Sequence, residues 1–320
     1  MKPEFIFVII FVVFLDAGCQ KSTSEVSLPV LRTDDVTVIT ISEAEFEGSV
    51  FPVDENPVLS RGVCWNLTGN PTFSDSLARS DQQTDTFTCE ITGLEKNRTY
   101  YARSFGITAG DTIYGNEVVF NSLEVTDGEI IKDIDGNRYK TIRIGSQCWM
   151  AENLRVTHYR NGDAIPNVQA DSLWAKYSGS GYRCYYKNDS SRYSNLYGAL
   201  YNNYAVHDVR KVCPVGWHIP SFEEWHTLVD VLGDSARQMM MSAEYWAKDA
   251  GASNSSGFNA LPYGERSFNG QFVHYRDPEY STGWWSSHEQ GWPQLLVRSS
   301  ISNIGICDPR IGFSIRCIKD

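Results

Sequence analysis

Basic clusters, catalytic signatures and long apolar runs are what this chain has least of. Acidic residues outnumber basic ones, 39 Asp and Glu against 28 Lys and Arg, for a net charge of -11. With no Lys/Arg cluster to neutralise phosphates, the composition argues against a nucleic-acid partner and against electrostatic docking on anionic lipid. G-x-S-x-G, H-E-x-x-H and a Gly-rich phosphate loop are all missing, which removes the familiar serine-hydrolase, zinc-protease and nucleotide chemistries. The eight cysteines include no C-x-x-C pair, so neither a zinc ribbon nor a redox dithiol is expected. After the first residues, no stretch is long and apolar enough to span a bilayer as a helix.

What is present begins with an export signal. Phe5 to Leu15 is an unbroken apolar run, preceded by Lys2, too short for a bilayer but right for a signal-peptide core. Asp16-Ala17-Gly18-Cys19 follows and resembles the bacterial lipoprotein cleavage box, in which the Cys becomes lipidated. It departs from that box in placing Asp16 where Leu is preferred; Leu15 lies one position too early. Residues 1–19 are therefore expected to be a lipoprotein signal ending at Cys19, and residues 20–28 a polar tether. Several acyl chains on one Cys anchor firmly, since each buried CH2 adds about 0.8 kcal/mol. The membrane is met through this anchor only, with the outer membrane, cell-surface side, as the expected location. Export makes disulfides possible among the other cysteines, whose odd number leaves at least one without an intrachain partner.

Residues 29–123 read as all β: short β-prone runs such as RGVCW, FTCEITGL and TYYARSFGIT alternate with turn-rich pieces such as NLTGNP. The run from Gly93 to Phe120, with Tyr100, Tyr101 and Arg103, resembles the later part of a fibronectin type III-like sandwich. Cys64 and Cys89 are candidates for a bridge between its strands. NSLEVTDGE (121–129) is the expected boundary, and DIDGNRYKTIRI beyond it reads as a hairpin turning at Asp135-Gly136.

From residue 126 to the C-terminus aromatics and glycines are dense and helical patterns scarce. IGSQCWMAENL, LYGALYNNYAV, CPVGWHIPSFEEWHTL, NSSGFNALPYGERSFNGQF, GWWSS and GFSIRCIKD occur in that order. Together they resemble the Fibrobacter succinogenes major paralogous domain, which implies an exported bacterial surface domain without an established activity. The helix start at GWHIPSFEEW, the WWSS strand and the terminal R-C strand also resemble C-type-lectin-like folds, shared by the formylglycine-generating enzyme group. The fold class is thus mainly β with an α+β second domain: a fibronectin/Ig-like β-sandwich, then a C-type-lectin-like domain with few helices. The lectin resemblance implies a bridge from the first helix region to the last strand, Cys213 to Cys317, with Cys148 as the rival partner.

Two histidines, two glutamates and a cysteine crowd residues 213–228. The segment reads as a helix capped by Ser221, with Glu224 completing a capping box and Gly233 ending it. Phe222, Trp225, Leu228, Val229 and Leu232 form its apolar face. His218 falls before the cap and cannot share a helical face with His226, so no zinc site is expected. Asp133 and Asp135 read as turn formers rather than calcium ligands, because the distal Glu of a calcium loop is absent. No metal or cofactor is expected.

The remaining signal is the aromatic stretch 261–298, with polar residues interleaved. Sugar C–H faces stack on such rings while nearby polar groups take hydroxyls. Trp292, Trp284, Tyr275, Tyr263 and Arg266 are the candidate ligand-binding residues. About half of the rings are expected in the core, with one of Trp284 and Trp285 pointing inward by strand alternation, and Trp292 is the best candidate for exposure. The expected function is a non-catalytic binding module for a glycan or a surface protein. The rival readings are a structural or adhesin subunit of a fimbria-like assembly and, further off, an enzyme.

Overall fold

A computed structural model describes residues 27–40, 42–53, 56–176, 179–273, 281–288, 294–297, 300–303 and 306–320. It is mainly β, with several sheets and few helices. The strands of the first part are β1 (Val30–Ile39), β2 (Ala44–Phe51), β3 (Ser60–Asn66), β4 (Ser76–Ser80), β5 (Thr86–Ile91), β6 (Thr99–Ile107), β7 (Thr112–Tyr114) and β8 (Val118–Asn121). They form two antiparallel sheets, β1-β2-β5 and β4-β3-β6-β7, with β8 on β6.

Period-two alternation decides which side chains meet between these sheets. In β5, Phe87, Cys89 and Ile91 are buried while Thr86, Thr88 and Glu90 are exposed. Phe46 from one sheet meets Phe120 from the other edge-on at 5.0 Å. Each such buried ring contributes about 1.5–3 kcal/mol. Thr33 and Ser104 clasp the sheets through two buried hydrogen bonds: Ser104 N donates to Thr33 Oγ1 at 2.6 Å, and that hydroxyl donates to Ser104 Oγ at 3.1 Å. Cys64 and Cys89 do not bridge. Each is a buried free thiol, its pKa pushed by burial up to about 11.

Three residues, 122–124, connect β8 to β9 (Val125–Asp127), which already belongs to the next sheet. The Asn97 side chain grips that strand twice, accepting from Val125 N and donating to Val125 O, both at 2.8 Å.

The second part continues with β10 (Ile131–Lys132), β11 (Arg138–Tyr139), β12 (Thr141–Ile144), β13 (Gln147–Met150), α1 (Asp171–Lys176), β14 (Arg183–Cys184), α2 (Ser190–Tyr197), β15 (Leu200–Tyr201), α3 (Asn203–Val206) and β16 (Trp217–His218). Helices α4 (Phe222–Leu232) and α5 (Ala236–Met240) come next. The strands β17 (Glu265–Arg266), β18 (Phe272–Val273), β19 (Ser281–Trp284), β20 (Gln294–Val297), β21 (Ser300–Asn303) and β22 (Ile318–Lys319) complete it. The main sheet runs β16-β22-β13-β12-β9, so the first and last strands of this part share one sheet. β19-β20-β21 form a second sheet.

Helix α4 is built as its sequence dictates. Ser221 accepts from Glu224 N, Glu224 reaches back to Ser221 N, and Gly233 closes the helix at φ 65°. Trp225, Leu228 and Leu232 are buried. Phe222 and Val229 are only half-buried, and Phe222 lies against His226 at 4.0 Å. The 131–139 hairpin forms too, with Gly136 at φ 80°.

Cys213 and Cys317 are bonded, with Cα atoms 6.0 Å apart across a sequence separation of 104. Cys148, the rival partner, is free. Closing so long a loop restricts the unfolded chain, by about 4–5 kcal/mol in the entropic treatment. Replacing both cysteines, Cys213→Ser with Cys317→Ser, is expected to lower stability by about 2–5 kcal/mol in guanidinium unfolding. A change within about 0.5 kcal/mol would contradict a structural role for the bridge.

Candidate functional site

The three residues just before β22 turn alternately to opposite sides, and this sets the site. Ile315 and Cys317 enter one buried cluster, with Tyr201, Trp217 and Trp285. Arg316 between them is sent the other way, toward Phe258 and Trp284 of a second cluster. Arg316 is 1% exposed, and its guanidinium carbon lies 4.2 Å from the Phe258 ring centroid and 5.3 Å from that of Trp284. It donates to Asn153 Oδ1 from Nη2 at 2.9 Å and from Nε at 3.2 Å, and to the Phe258 carbonyl. Among the described residues no carboxylate forms an ion pair with it. Burial accordingly pulls its pKa down to about 9, against the opposing influence of Tyr263 and Glu152. Asn153 Oδ1 also accepts from Trp284 Nε1 at 2.8 Å, and its Nδ2 donates to Tyr197 O at 3.0 Å. One carboxamide thereby fixes a guanidinium, an indole and the end of α2.

Arg316 is the floor of an open cleft of about 370 Å³ whose sides include Glu152, Asn195, Glu244, Tyr245, Asn254 and Asn259. Glu152 accepts from Lys140 N at 3.0 Å, which orients it. Asn254 Oδ1 accepts from Asn259 N at 2.8 Å and its Nδ2 donates to Asn259 Oδ1 at 3.5 Å, which ties the two carboxamides to each other. Beside the cleft runs a stack of tyrosines. Tyr263 lies under Tyr197 at 5.1 Å, and Tyr197 under Tyr193 at 5.4 Å. Tyr193 and Tyr197 are four apart on α2, so they share one helical face. Asp189 starts this helix by accepting from Arg192 N, and Gly198 ends it at φ 72°. Both rings are half-buried, and Tyr245 is 44% exposed.

The candidates from sequence divide two ways. Trp284, Tyr263 and Arg266 are corrections: all three are at most 1% exposed and cannot touch a ligand. Trp284 and Trp285 do point to opposite faces, but each face is covered by its own cluster, so both are buried. Arg266 stacks on Trp174 at 4.3 Å and donates to Gly270 O, Val168 O and Gln169 O, each at 2.7 Å, and to Asp171 at 2.9 Å. That is a structural clamp. Tyr275 and Trp292 lie outside the described residues, as does Cys19. Tyr193, Tyr197 and Tyr245 carry no motif in the sequence; the one signal there is the i, i+4 tyrosine pair closed by Gly198.

His218 has a different role from any zinc ligand. Its Nδ1 meets Asp320 at 2.7 Å and its Nε2 meets Glu224 at 2.9 Å. An ionised carboxylate only accepts, so both contacts are made in full by the ring protonated on both nitrogens. Burial opposes that charge, but the hydrogen bonds to Asp320 and Glu224 outweigh it and raise the pKa. Asp133 is equally saturated: Asp135 N, Asn137 N, Asn137 Nδ2 and the Tyr139 hydroxyl occupy its acceptor positions. No lone pair is left for a cation. Among the described residues no group of three or more metal-ligating side chains gathers.

Two outcomes are expected. Asn153→Ala leaves the Arg316 and Trp284 donors without their acceptor and should cost about 3–5 kcal/mol in urea unfolding. The His218 contribution, arising from a raised folded pKa, should be complete below about pH 6.5, the unfolded value. It should be lost as pH rises through the folded value. Melting temperatures from pH 5 to 9 should show this step, and His218→Gln should remove it.

Comparison with known proteins places the chain. The solution structure of the sensor domain of the anti-sigma factor RsgI4 in Pseudobacteroides cellulosolvens aligns at 13% identity over 30% of this chain and 76% of that one, with a TM-score of 0.25. A comparison with curated proteins gives no match. The Fibrobacter succinogenes major domain matches residues 142–319, and these include Asn153, the tyrosines of α2, the bridged cysteines and Arg316. On that match, which spans more than half of its length, the chain belongs to the Fibrobacter succinogenes major domain family.

Proposed function

We propose that the chain is a non-catalytic binding module, held at the outer surface by a lipid on Cys19 and recognising a neutral glycan in the cleft above Arg316. The observation that carries this reading is the cleft itself. Carboxamides, two carboxylates and the Tyr245 ring converge on one concavity beside stacked tyrosines. Hydroxyl-rich ligands need paired donors and acceptors of this kind, together with a ring to cover C–H faces. Glu152 and Glu244 on the cleft sides disfavour acidic sugars. The buried Arg316 charge polarises the floor without offering a counter-ion site, since its partners already engage it.

The architecture supports display. The first part reads as a fibronectin type III-like sandwich; Tyr100 reaches back so that its hydroxyl accepts from Glu95 N at 2.9 Å, in the manner of a tyrosine corner. The second reads as C-type-lectin-like, with its helix region bridged to its end through Cys213 and Cys317. Export is consistent with that bridge.

Neutral-glycan arrays probed with the mature protein should give specific binding, weakened about tenfold by Tyr245→Ala, the loss expected for one stacking ring. Binding unchanged in Tyr245→Ala and Glu244→Gln would move the site elsewhere. Failure on every glycan, with a surface protein captured instead, would favour the assembly-subunit reading.

A further inference from the structure

We infer that the end of the sandwich farthest from the second module is a lipid-contacting face, seated on the bilayer that carries the anchor. The inference rests on the reading of Cys19 as lipidated.

Four large apolar side chains stand out of the protein at this end: Leu28 is 43% exposed, Val30 62%, Phe51 56% and Leu59 62%. Backbone pairing puts Val30, Phe51 and Leu59 at one end of the sandwich, and Leu28 lies two residues before Val30. Val30 lies opposite Phe51 across β1 and β2. Leu31 and Val58 both close on Gly106, where an added Cβ would meet them at 3.1 and 3.2 Å. Their sequence neighbours Val30 and Leu59 therefore share that end, and Leu59 N donates to Ile107 O there.

The second module sits at the other end. The Thr40 and Glu43 side chains approach Gly233, Lys96 donates to Ser255 O at 2.6 Å, and Asn97 holds Val125. β1 runs from one end to the other, and its ten residues span about 33 Å.

The chain supplies the occupant. The described residues begin at Ser27, beside the patch. The eight steps from Cys19 to Ser27 reach at most about 28 Å when fully extended. An acylated Cys19 thus holds this end within reach of the membrane, while the opposite end of β1 lies farther off than the extended tether spans. Arg32 follows Val30 on the same outer face, about 7 Å farther along, and is paired there with Asp34 at 3.0 Å, so the charge at this level is balanced. Exposed Asp85 and Asp111 flank the same end, through Val50 N to Asp85 O and Thr108 N to Asp111 O. Two copies meeting face to face would bring these acids together, whereas a zwitterionic surface admits the apolar side chains between them.

The test uses the full chain, made with its own leader and reconstituted in phosphatidylethanolamine/phosphatidylcholine vesicles doped with a photoactivatable phospholipid. Mass spectrometry of the N-terminal peptide reads acylation of Cys19, and mapped cross-links read lipid contact. Acylation with cross-links at Val30, Phe51 and Leu59 is the expected result. Phe51→Ser with Leu59→Ser, both at exposed positions, should cut labelling at Val30 about tenfold. Acylation without cross-links beyond residue 27 overturns the face and leaves the anchor. An unacylated Cys19 overturns both. A dimer by sedimentation with these three residues unlabelled assigns the patch to a second copy instead.

Discussion

A guanidinium buried without a counter-ion must be surrounded by acceptors, and that demand organises the second module. Leaving such a charge unpaired in a dry interior costs several kcal/mol, while neutral acceptors and aromatic faces offset much of it. Arg316 takes its acceptors from Asn153 and Phe258, and its π faces from Phe258 and Trp284. Trp225 of α4 stacks on Trp284 at 5.7 Å, and Asn153 holds Tyr197 at the end of α2. The six sequence segments that carry the family resemblance therefore meet around one charged group. Their order in the chain reflects the path of the backbone; their residue types reflect what that charge needs.

The same arrangement explains the cleft. Segments drawn in to satisfy Arg316 leave their neighbours, Glu152, Asn195, Asn254 and Asn259, gathered above it. A polar concavity over a buried cation is the by-product of packing those segments. Polar rims of this kind are where ligand recognition tends to develop, because the rigid layer beneath holds the groups in place.

Legibility in the sequence followed the range of the interactions. The helix after Ser221 and the turn at Asp133 are set by residues within four positions of one another, and both are as the residues alone imply. The Cys213–Cys317 bridge joins distant segments and came through resemblance rather than spacing. The aromatics of 261–298 misled because alternation tells which way a side chain points but not whether something covers that side. Trp284 and Trp285 obey alternation and are both buried, since β19 lies between two cores. Tyr193 and Tyr197 escaped notice because a helix as short as α2 has too few turns to show a periodic stripe. Arg266 illustrates a further limit: its fork of donors suits a ligand as well as it suits the carbonyls of Val168 and Gln169, and only the fold chooses between them.

The three-residue connection between the sandwich and the main sheet has a thermodynamic consequence. β9 is an edge strand of the second module, yet its first residue is hydrogen-bonded on both backbone groups by Asn97 of the first. Melting the sandwich would release Val125 and fray that edge; melting the second module would strip Asn97 of both its partners. Neither part can lose its structure without raising the free energy of the other. Each part thus lends stability to the other, by about 1–3 kcal/mol for the two hydrogen bonds of that one carboxamide.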